Sequence, residues 1–342
     1  MKLATHLLQT TTTIELAAAK TINMSITLEQ SIKEFIEQEK LPSSFRATAQ
    51  QHYLPLAQHV LAQQALKESN YIVGINGAQG TGKSTLSLFL QRVLSGAGLR
   101  VVTISIDDLY LTRSEREALA QNVHPLLKTR GVPGTHDIAM GTRLLEQLMA
   151  ADEDTLIQIP RFNKAEDDRY PQEQWSSHEG RADIIILEGW CVGAKPCDLS
   201  GDPINALERL ADSEGNWRAY IQTQLNGEYQ RFFDHLDMLV MLKAPSMECI
   251  IQWRTLQEHK LAQKLRITSE QEEVLDNSRP TDAPNKGIMG DKELLWFIMH
   301  YERLTRIMLA TLPSSADVLM EIDSQHNITS TQFTDKTKEA AS

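Results

Sequence analysis

The segment that most constrains the fold is Gly77-Ala78-Gln79-Gly80-Thr81-Gly82-Lys83-Ser84, which has the complete spacing G-x-x-x-x-G-K-S. The apolar run Tyr71–Asn76 precedes it and predicts a short buried strand. In a strand–loop–helix of this kind, backbone N–H groups and the positive end of the helix dipole surround phosphate oxygens. The sequence therefore predicts binding of a nucleoside triphosphate. The following helix is predicted from the spacing of Leu86, Phe89, Leu90, Val93 and Leu94.

The residues of this loop have separate expected tasks. Lys83 is expected to reach the β- and γ-phosphates and to act in catalysis, and the Ser84 hydroxyl is expected to ligate Mg²⁺. A nucleoside triphosphate and Mg²⁺ are therefore the predicted ligands of this loop. The residues expected to surround the nucleotide are Gly77, Ala78, Gln79, Gly80, Thr81, Gly82, Lys83, Ser84 and Thr85.

The chain divides into several predicted regions. Residues 1–23 are rich in threonine and contain no arginine, so we expect a disordered or optional extension, with a transit peptide as the alternative. Residues 24–69 are expected to form two or three helices, broken by Pro42 and Pro55. A nucleotide-binding P-loop domain is expected over 70–325, and a disordered tail over 326–342.

Short apolar runs alternate with helical stretches over 70–325, as in parallel βαβ units. The expected fold class is therefore α/β, with a mostly parallel sheet and helices on both faces. Insertions interrupt the alternation at 109–137, 160–181 and 198–227, and we expect the last to be peripheral. The first two are expected beside the carboxyl ends of the strands, where ligands bind. The predicted strands are Ile72–Asn76, Val101–Ile106, Leu156–Ile159, Ile184–Leu187, Met238–Leu242 and Val318–Ile322.

Composition narrows the possible partners. A net charge of −11 argues against general nucleic-acid binding, and no apolar run reaches the length of a membrane span. Three irregularly spaced cysteines do not form a disulfide framework or a zinc site. We therefore expect a cytoplasmic monomer or homodimer that acts on a small molecule, without nucleic acid or membrane partners.

Two adjacent carboxylates, Asp107 and Asp108, follow the second predicted strand. Side chains alternate in direction along extended backbone, so the two are expected to face different ways. Asp107 is expected to accept the proton of a substrate hydroxyl or to orient that hydroxyl, with Tyr110 also in the substrate site. Asp108 is expected to contribute to the metal site or to brace the next segment. The alternative for both is capping of the helix that follows.

Two further residues complete the expected nucleotide site. Glu188 ends an apolar strand, as in a Walker B arrangement, where the acid holds Mg²⁺ directly or through water. Arg254 lies in a helix predicted over about 247–266, which we interpret as a lid whose arginine closes over the phosphates. The alternative for Arg254 is a surface pair with Glu258, four residues later.

Cationic and imidazole side chains in the two long loops are the candidates for binding the acceptor. Arg130 and His136 belong to Arg130-Gly131-Val132-Pro133-Gly134-Thr135-His136-Asp137, although His136 could equally be an ordinary loop histidine. Arg161 and Lys164 follow the third predicted strand and could bind a carboxylate or phosphate. The alternative for these two is a solvated charged loop.

With these residues in view, the chain resembles the D-glycerate 3-kinase family, which is related to uridine kinase, pantothenate kinase and phosphoribulokinase. The resemblance implies a P-loop kinase fold, Asp107 as general base, Lys83, Ser84 and Glu188 at ATP and Mg²⁺, and Arg254 as a lid arginine. It covers most of residues 40–325. It rests on Gly77–Ser84, Ser105–Tyr110, Arg130–Asp137, Pro160–Lys164, Leu187–Trp190, Gln252–Glu258 and Asp291–Arg306.

The function expected from these features is transfer of phosphate from ATP to a hydroxyl of a small molecule, with D-glycerate, an anionic hydroxy acid, as the leading acceptor. Two alternatives remain open. One is a kinase for a nucleoside, a pantothenate-like compound or a sugar phosphate. The other is a regulatory P-loop NTPase, against which Asn163-Lys164-Ala165-Glu166 has glutamate where a guanine-reading motif requires aspartate.

Overall fold

A six-stranded sheet lies at the centre of the computed structural model, which describes residues 29–67, 69–257, 259 and 290–334. The strand order is β10-β9-β8-β1-β7-β2, and every pair is parallel except β9 with β10. All residues of β1 and β7 are buried, as in a sheet covered on both faces. The predicted α/β class is thus confirmed. The strands are β1 Tyr71–Gly77, β2 Val101–Ser105, β7 Ile184–Gly189, β8 Met238–Lys243, β9 Val318–Ile322 and β10 Ile328–Phe333.

Helices cover the two faces of this sheet and form two hydrophobic clusters. Helices α1, α2, α3 and α8 pack on one face, α5, α6 and α7 pack on the other, and α9 contributes to both. None of the helices in the described ranges is long and apolar enough to cross a membrane. The longer helices of the described residues are α1 29–38, α2 Leu54–Lys67, α3 Lys83–Gly96, α4 Arg113–Asn122, α5 Ile138–Ala150, α6 Ala206–Ala211, α7 Asn216–Gln224, α8 247–257 and α9 Asp291–Thr311.

The strand predicted at Leu156–Ile159 exists as β3, but it lies outside the central sheet. It pairs antiparallel with β6, Ser176–Glu179, in a separate two-stranded sheet. The side chain of Leu156 is exposed, and Ile157 and Ile159 are buried. Such alternation suits a strand with one covered face, whereas a central parallel strand is apolar on both faces.

Pro55 does not break the N-terminal helical segment, contrary to the prediction. A helical turn at Phe45–Thr48 continues through a π turn at Ala49–Tyr53 into α2, where Pro55 is the second residue. The Leu54 N–H bonds to the Ala49 carbonyl, five residues earlier, so the turn is widened just before the proline ring. Pro42 does lie between helices, as predicted.

The prediction of a disordered tail over 326–342 is wrong for its first part, because Ile328–Phe333 forms β10 at the edge of the sheet. The Asp323 carboxylate shapes the preceding turn by accepting hydrogen bonds from Gln325 N–H and Asn327 N–H, at 2.8 and 2.9 Å. Polar residues dominate β10, so its sequence lacks the apolar run that marks the inner strands. The predicted extension 1–23 and residues 335–342 lie outside the described residues.

The insertion 198–227 is part of the core, so the expectation that it is peripheral is wrong. Leu207 and Trp217 from its helices α6 and α7 are buried in the same cluster as α5. Its charged residues are also buried: Arg218 pairs with Asp212 at 2.8 Å, and Glu208 pairs with Arg303 of α9 at 2.6 Å. Partnering of this kind permits burial of charges that would otherwise be costly.

Candidate active site

The phosphate loop connects β1 to α3, as predicted, and it is closely packed. Gly80 has φ of +85°, and a Cβ on it would lie 2.9 Å from Cβ of Trp253 in α8. Only glycine therefore fits this position. The Thr81 hydroxyl donates to the Ala78 carbonyl at 2.8 Å, which holds the turn of the loop. Lys83 is the first residue of α3, at the helix end where anions are favoured.

Ser84 and Glu188 meet beside this loop. The Ser84 hydroxyl donates to Glu188 Oε1 at 3.1 Å, and the pairing of Ile75 with Glu188 fixes the height of the acid along the sheet. Glu188 is buried, and its Oε2 has no partner among the residues that the structure describes. A hydroxyl and a buried carboxylate with one oxygen unengaged are oxygen donors of the type that Mg²⁺ selects.

Asp107 lies at the carboxyl end of β2, in a short turn over Ile106–Leu109. Its Oδ1 accepts from the Tyr110 hydroxyl at 2.8 Å, and its Oδ2 accepts from Lys164 Nζ at 2.6 Å. Burial alone would raise the pKa of Asp107, but the charges of Lys164 and Lys83 lower it well below its usual range. The structure thus brings a phosphate-loop lysine, a strand-end carboxylate and a loop lysine together.

Asp108 faces a different partner, as the alternation of side chains predicts. Its Oδ1 accepts from Phe162 N–H at 3.0 Å, and its Oδ2 faces Arg161 Nη1 at 3.3 Å. Burial raises the pKa of Asp108, against the opposing effects of the Phe162 N–H and the Arg161 charge. No hydrogen bond or ion pair in the described part of the chain joins Asp108 to Ser84 or Glu188. These contacts support the bracing alternative rather than a place in the metal site.

A short hairpin carries the two candidate acceptor cations. We use "the hairpin" for residues 161–169, which contain β4 Phe162–Asn163 paired with β5 Asp168–Arg169. Arg161 is 53% exposed and Lys164 is 61% exposed. Both side chains therefore face solvent beside the strand-end carboxylates that they contact.

Arg130 braces this hairpin. Its guanidinium pairs with Asp167 and lies over the Phe162 ring, 5.5 Å from the centroid. The buried Arg116 reinforces the same corner, with Nη2 donating to the Asp167 carbonyl at 2.6 Å. Because Asp167 neutralises Arg130, the contacts support a structural role for Arg130, whereas the sequence had placed it in the substrate site.

The loop over 130–134 is held by three aromatic side chains. Trp190 Nε1 donates to the Gly131 carbonyl at 2.9 Å, and the Tyr301 hydroxyl donates to the Arg130 carbonyl at 3.1 Å. A Cβ at Gly131 would collide with the Tyr301 hydroxyl, which explains the glycine. The Tyr229 hydroxyl accepts from Gly134 N–H at 2.9 Å.

His136 is buried beneath Tyr110, with the two rings stacked at 4.6 Å. Its Nδ1 lies 2.6 Å from the Tyr229 hydroxyl, whose oxygen also accepts from Gly134 N–H. Burial lowers the pKa of His136 to about 4, so the ring is neutral near pH 7. Nε2 has no partner among the described residues. A substrate role for His136 stays a prediction.

Helix α8 closes the nucleotide side of the site. Trp253 packs on the phosphate loop, and its Nε1 donates to the Ser324 carbonyl at 3.2 Å. Burial and the charge of Asp107 raise the pKa of Tyr301, and the charges of Arg130 and Arg254 oppose them. The Arg254 charge thus lies near enough to Tyr301 to oppose the rise in its pKa, and a lid role for Arg254 stays a prediction. Residues 258 and 260–266 of the predicted lid helix lie outside the described residues. The pairing of Arg254 with Glu258 therefore stays a prediction.

Three side chains of this site were missed by the sequence reasoning: Tyr229, Tyr301 and Arg116. Each forms a hydrogen bond with the backbone of a loop that is distant in the sequence. The separations are 95, 171 and 51 positions, respectively. Helical spacing shows only that Phe297 and Tyr301 share a face of α9. No local pattern indicates that the face meets residues 130–134.

Comparisons with known proteins agree with this architecture, although no family model matches the chain. It is 33% identical over 250 residues to "uncharacterized kinase mug58" of Schizosaccharomyces pombe, covering 71% of this chain and 82% of that protein. It is 28% identical over 254 residues to the chloroplastic D-glycerate 3-kinase of Arabidopsis thaliana, covering 69% of this chain and 54% of that protein.

A solved structure, D-glycerate 3-kinase from Cryptococcus neoformans, matches with a TM-score of 0.62 and 23% identity, covering 82% of this chain and 99% of that one. This match supports the P-loop kinase fold. The 33% identity to the Schizosaccharomyces pombe kinase, over most of both chains, shows that the two proteins share a family. The chain therefore belongs to the D-glycerate 3-kinase family of P-loop kinases, and it is an ATP-dependent phosphotransferase with an alcohol group as acceptor.

Proposed function

We propose that the enzyme phosphorylates D-glycerate to 3-phosphoglycerate, with ATP as the donor and Mg²⁺ as the metal. The observation that carries the proposal is the position of Asp107, bound by Lys164 and lying within the electrostatic influence of Lys83. Lys83 would then contact the donor phosphates, Asp107 the acceptor hydroxyl and Lys164 the acceptor's negative group. The Arabidopsis and Cryptococcus proteins named D-glycerate 3-kinase support this choice of acceptor.

Mg²⁺ fits the donors beside the phosphate loop. Ser84 and Glu188 would hold it, with the unengaged Glu188 Oε2 as a further oxygen donor. No cluster of three or more His, Cys, Asp or Glu side chains suited to a metal occurs in the described ranges, so nucleotide oxygens and water complete the expected coordination. When bound, the ion neutralises negative charge on the phosphates.

Residues of the chain bind the phosphoryl group and align the acceptor hydroxyl with it. Lys83 and the loop N–H groups bind the transferred phosphoryl group, and Asp107 aligns the acceptor hydroxyl toward it. As the new O–P bond forms and the bond to ADP breaks, the hydroxyl proton passes to Asp107. The charges of Lys164 and Lys83 hold the pKa of Asp107 low, so the carboxylate is ionised and able to accept the hydroxyl proton.

The number of cations favours a carboxylic acid over a sugar phosphate as acceptor. Arg161 and Lys164 pair with Asp108 and Asp107 through side chains that are more than half exposed, whereas the Arg130 side chain is 21% exposed and pairs with Asp167. Arg169 donates to the Tyr110 carbonyl at 2.9 Å and pairs with Asp137 at 3.6 Å. A dianionic phosphate would require more free donors than a carboxylate requires.

Acceptor-dependent ADP release tests the proposal directly. The panel contains D-glycerate, L-glycerate, uridine, pantothenate and ribulose 5-phosphate at saturating ATP and Mg²⁺. We expect the highest kcat/KM with D-glycerate, because a single carboxylate matches the exposed pair Arg161 and Lys164. Another acceptor with a kcat/KM about tenfold higher, a difference of ~1.4 kcal/mol, would replace D-glycerate in the proposal.

Replacing Glu188 with glutamine tests the metal site. The near-isosteric change should preserve the fold while removing the negative charge beside Ser84, so apparent Mg²⁺ affinity and kcat should both fall. A decrease in affinity of roughly 10–100-fold is expected for a perturbed metal site. The measurement is an Mg²⁺ titration of activity, with Glu179→Gln on the exposed strand β6 as the control. Superimposable titrations of Glu188→Gln and the parent would remove Glu188 from the metal site.

A further inference from the structure

We propose that Lys164 makes the reaction selective for negatively charged acceptors by competing with the acceptor hydroxyl for Asp107. An acceptor with its own carboxylate draws the Lys164 ammonium away from Asp107, and a neutral acceptor does not. This inference rests on the proposed function, since it assumes that Asp107 receives the acceptor hydroxyl.

The contacts of Asp107 show where the competition takes place. Tyr110 donates to Oδ1, and its ring is buried and stacked on His136, so this donor is fixed. Lys164 donates to Oδ2 from a side chain that is 61% exposed. The acceptor hydroxyl must approach from the open side, and the group it meets there is the Lys164 ammonium.

The backbone of the hairpin is fixed, so the Lys164 side chain can move while its backbone stays in place. Asp108 fixes the start of the hairpin through Phe162 N–H, and Arg116 and Arg130 fix Asp167. The Asn163 side chain accepts from Ala165 N–H at 3.1 Å and holds the turn beside Lys164. The flexible four-carbon side chain of lysine can then change partners while the loop stays in place.

Charge balance explains the selectivity. When Lys164 leaves Asp107 for the carboxylate of an acceptor, one ion pair replaces another, and Arg161 lies on the same segment to share the new anion. A neutral acceptor offers no such replacement, so it must compete with an ammonium 2.6 Å from the carboxylate. The same contact protects Asp107 from activating water, which limits unproductive ATP hydrolysis.

A different role for Lys164 would be constant stabilisation of the transferred phosphoryl group. That role predicts an equal loss with every acceptor when the charge is removed, since all acceptors share the same phosphoryl donor. Competition predicts instead that the loss depends on the acceptor's charge.

The test compares D-glycerate with glycerol, which has a neutral hydroxymethyl group in place of the carboxylate. Lys164→Met keeps an aliphatic chain but removes the ammonium. We expect kcat/KM for D-glycerate to fall roughly 10–100-fold, the range for losing one charge-assisted hydrogen bond. We expect kcat/KM for glycerol to stay constant or rise, and acceptor-independent ADP release to rise. The control is Lys128→Met, since Lys128 is 62% exposed and pairs with Glu117 away from Asp107.

A second measurement follows the pH dependence. Because Lys164 lowers the pKa of Asp107, its removal should shift the acidic limb of the kcat/KM profile to higher pH, and Lys128→Met should leave that limb in place. Equal losses for D-glycerate and glycerol, or an unshifted acidic limb, would overturn the inference. If the parent enzyme releases no ADP with D-glycerate, the proposed function fails instead, and the two results are distinct.

Discussion

Lys83→Ala is expected to abolish measurable turnover even at saturating acceptor. Lys83 begins α3 directly after the glycine-rich loop, so its ammonium is the cation of this loop nearest to the transferred phosphoryl group. Its charge also lowers the pKa of Asp107, so Lys83 lies within electrostatic reach of the expected acceptor side. Losing a cation that neutralises phosphoryl charge costs about 10³-fold or more in kcat.

The measurement is ADP release at saturating D-glycerate, together with the nucleotide Kd by calorimetry. Lys33→Ala serves as the control, because Lys33 is exposed and pairs with Glu37 on α1, away from the phosphate loop. Its activity should equal that of the parent. A near-normal kcat for Lys83→Ala would mean that the loop does not bind the reacting phosphates.

Asp107→Asn is expected to retain nucleotide binding and to lower kcat by roughly 10²–10⁴-fold, the usual contribution of a positioned acid–base group. The amide keeps the size of the side chain and can still accept from Tyr110, but it cannot take the proton of the acceptor. It also removes the partner of Lys164, whose ammonium then has no carboxylate at this position.

The matched comparison is Asp108→Asn, one residue later. Asp108 holds the hairpin through Phe162 N–H and Arg161, so this change should raise the KM for the acceptor more than it lowers kcat. Both variants are assayed for kcat, KM and nucleotide Kd. An inactive Asp108→Asn beside a mild Asp107→Asn would exchange the two assignments. Loss of nucleotide binding in both would place them at the metal instead.

The parts of the fold that sequence predicts well are those with a local cause. Apolar runs bounded by glycine and acidic residues predicted β1, β7 and β8 within about a residue at most boundaries. The pairing of β3 and the presence of β10 depend on which surfaces meet in three dimensions. Half-exposed Leu156–Ile159 and the polar Ile328–Phe333 carry too little apolar signal to decide this.

The residues of the site also fall into those with a local sequence signal and those that depend on tertiary contacts. The phosphate loop, Glu188 and Asp107 follow from residue type at a strand end, and the structure places Ser84 beside Glu188 and Lys83 near Asp107. The charge of Arg130 pointed to an anionic substrate, but the tertiary structure gives it Asp167 as a partner. Because the partner of Arg130 is distant from it in the sequence, charge alone does not distinguish a residue that binds substrate from one that braces a loop.

The contact between Tyr301 and the Arg130 carbonyl spans 171 positions of the chain. On the ribosome, the phosphate loop and both strand-end carboxylates emerge long before α9 is made. At ~5–20 residues per second, roughly 10–30 s separate synthesis of the loop at Arg130 from arrival of the tyrosine that holds it. A nascent chain can thus expose its nucleotide-binding sequence well before the loop at Arg130 is held in place by Tyr301.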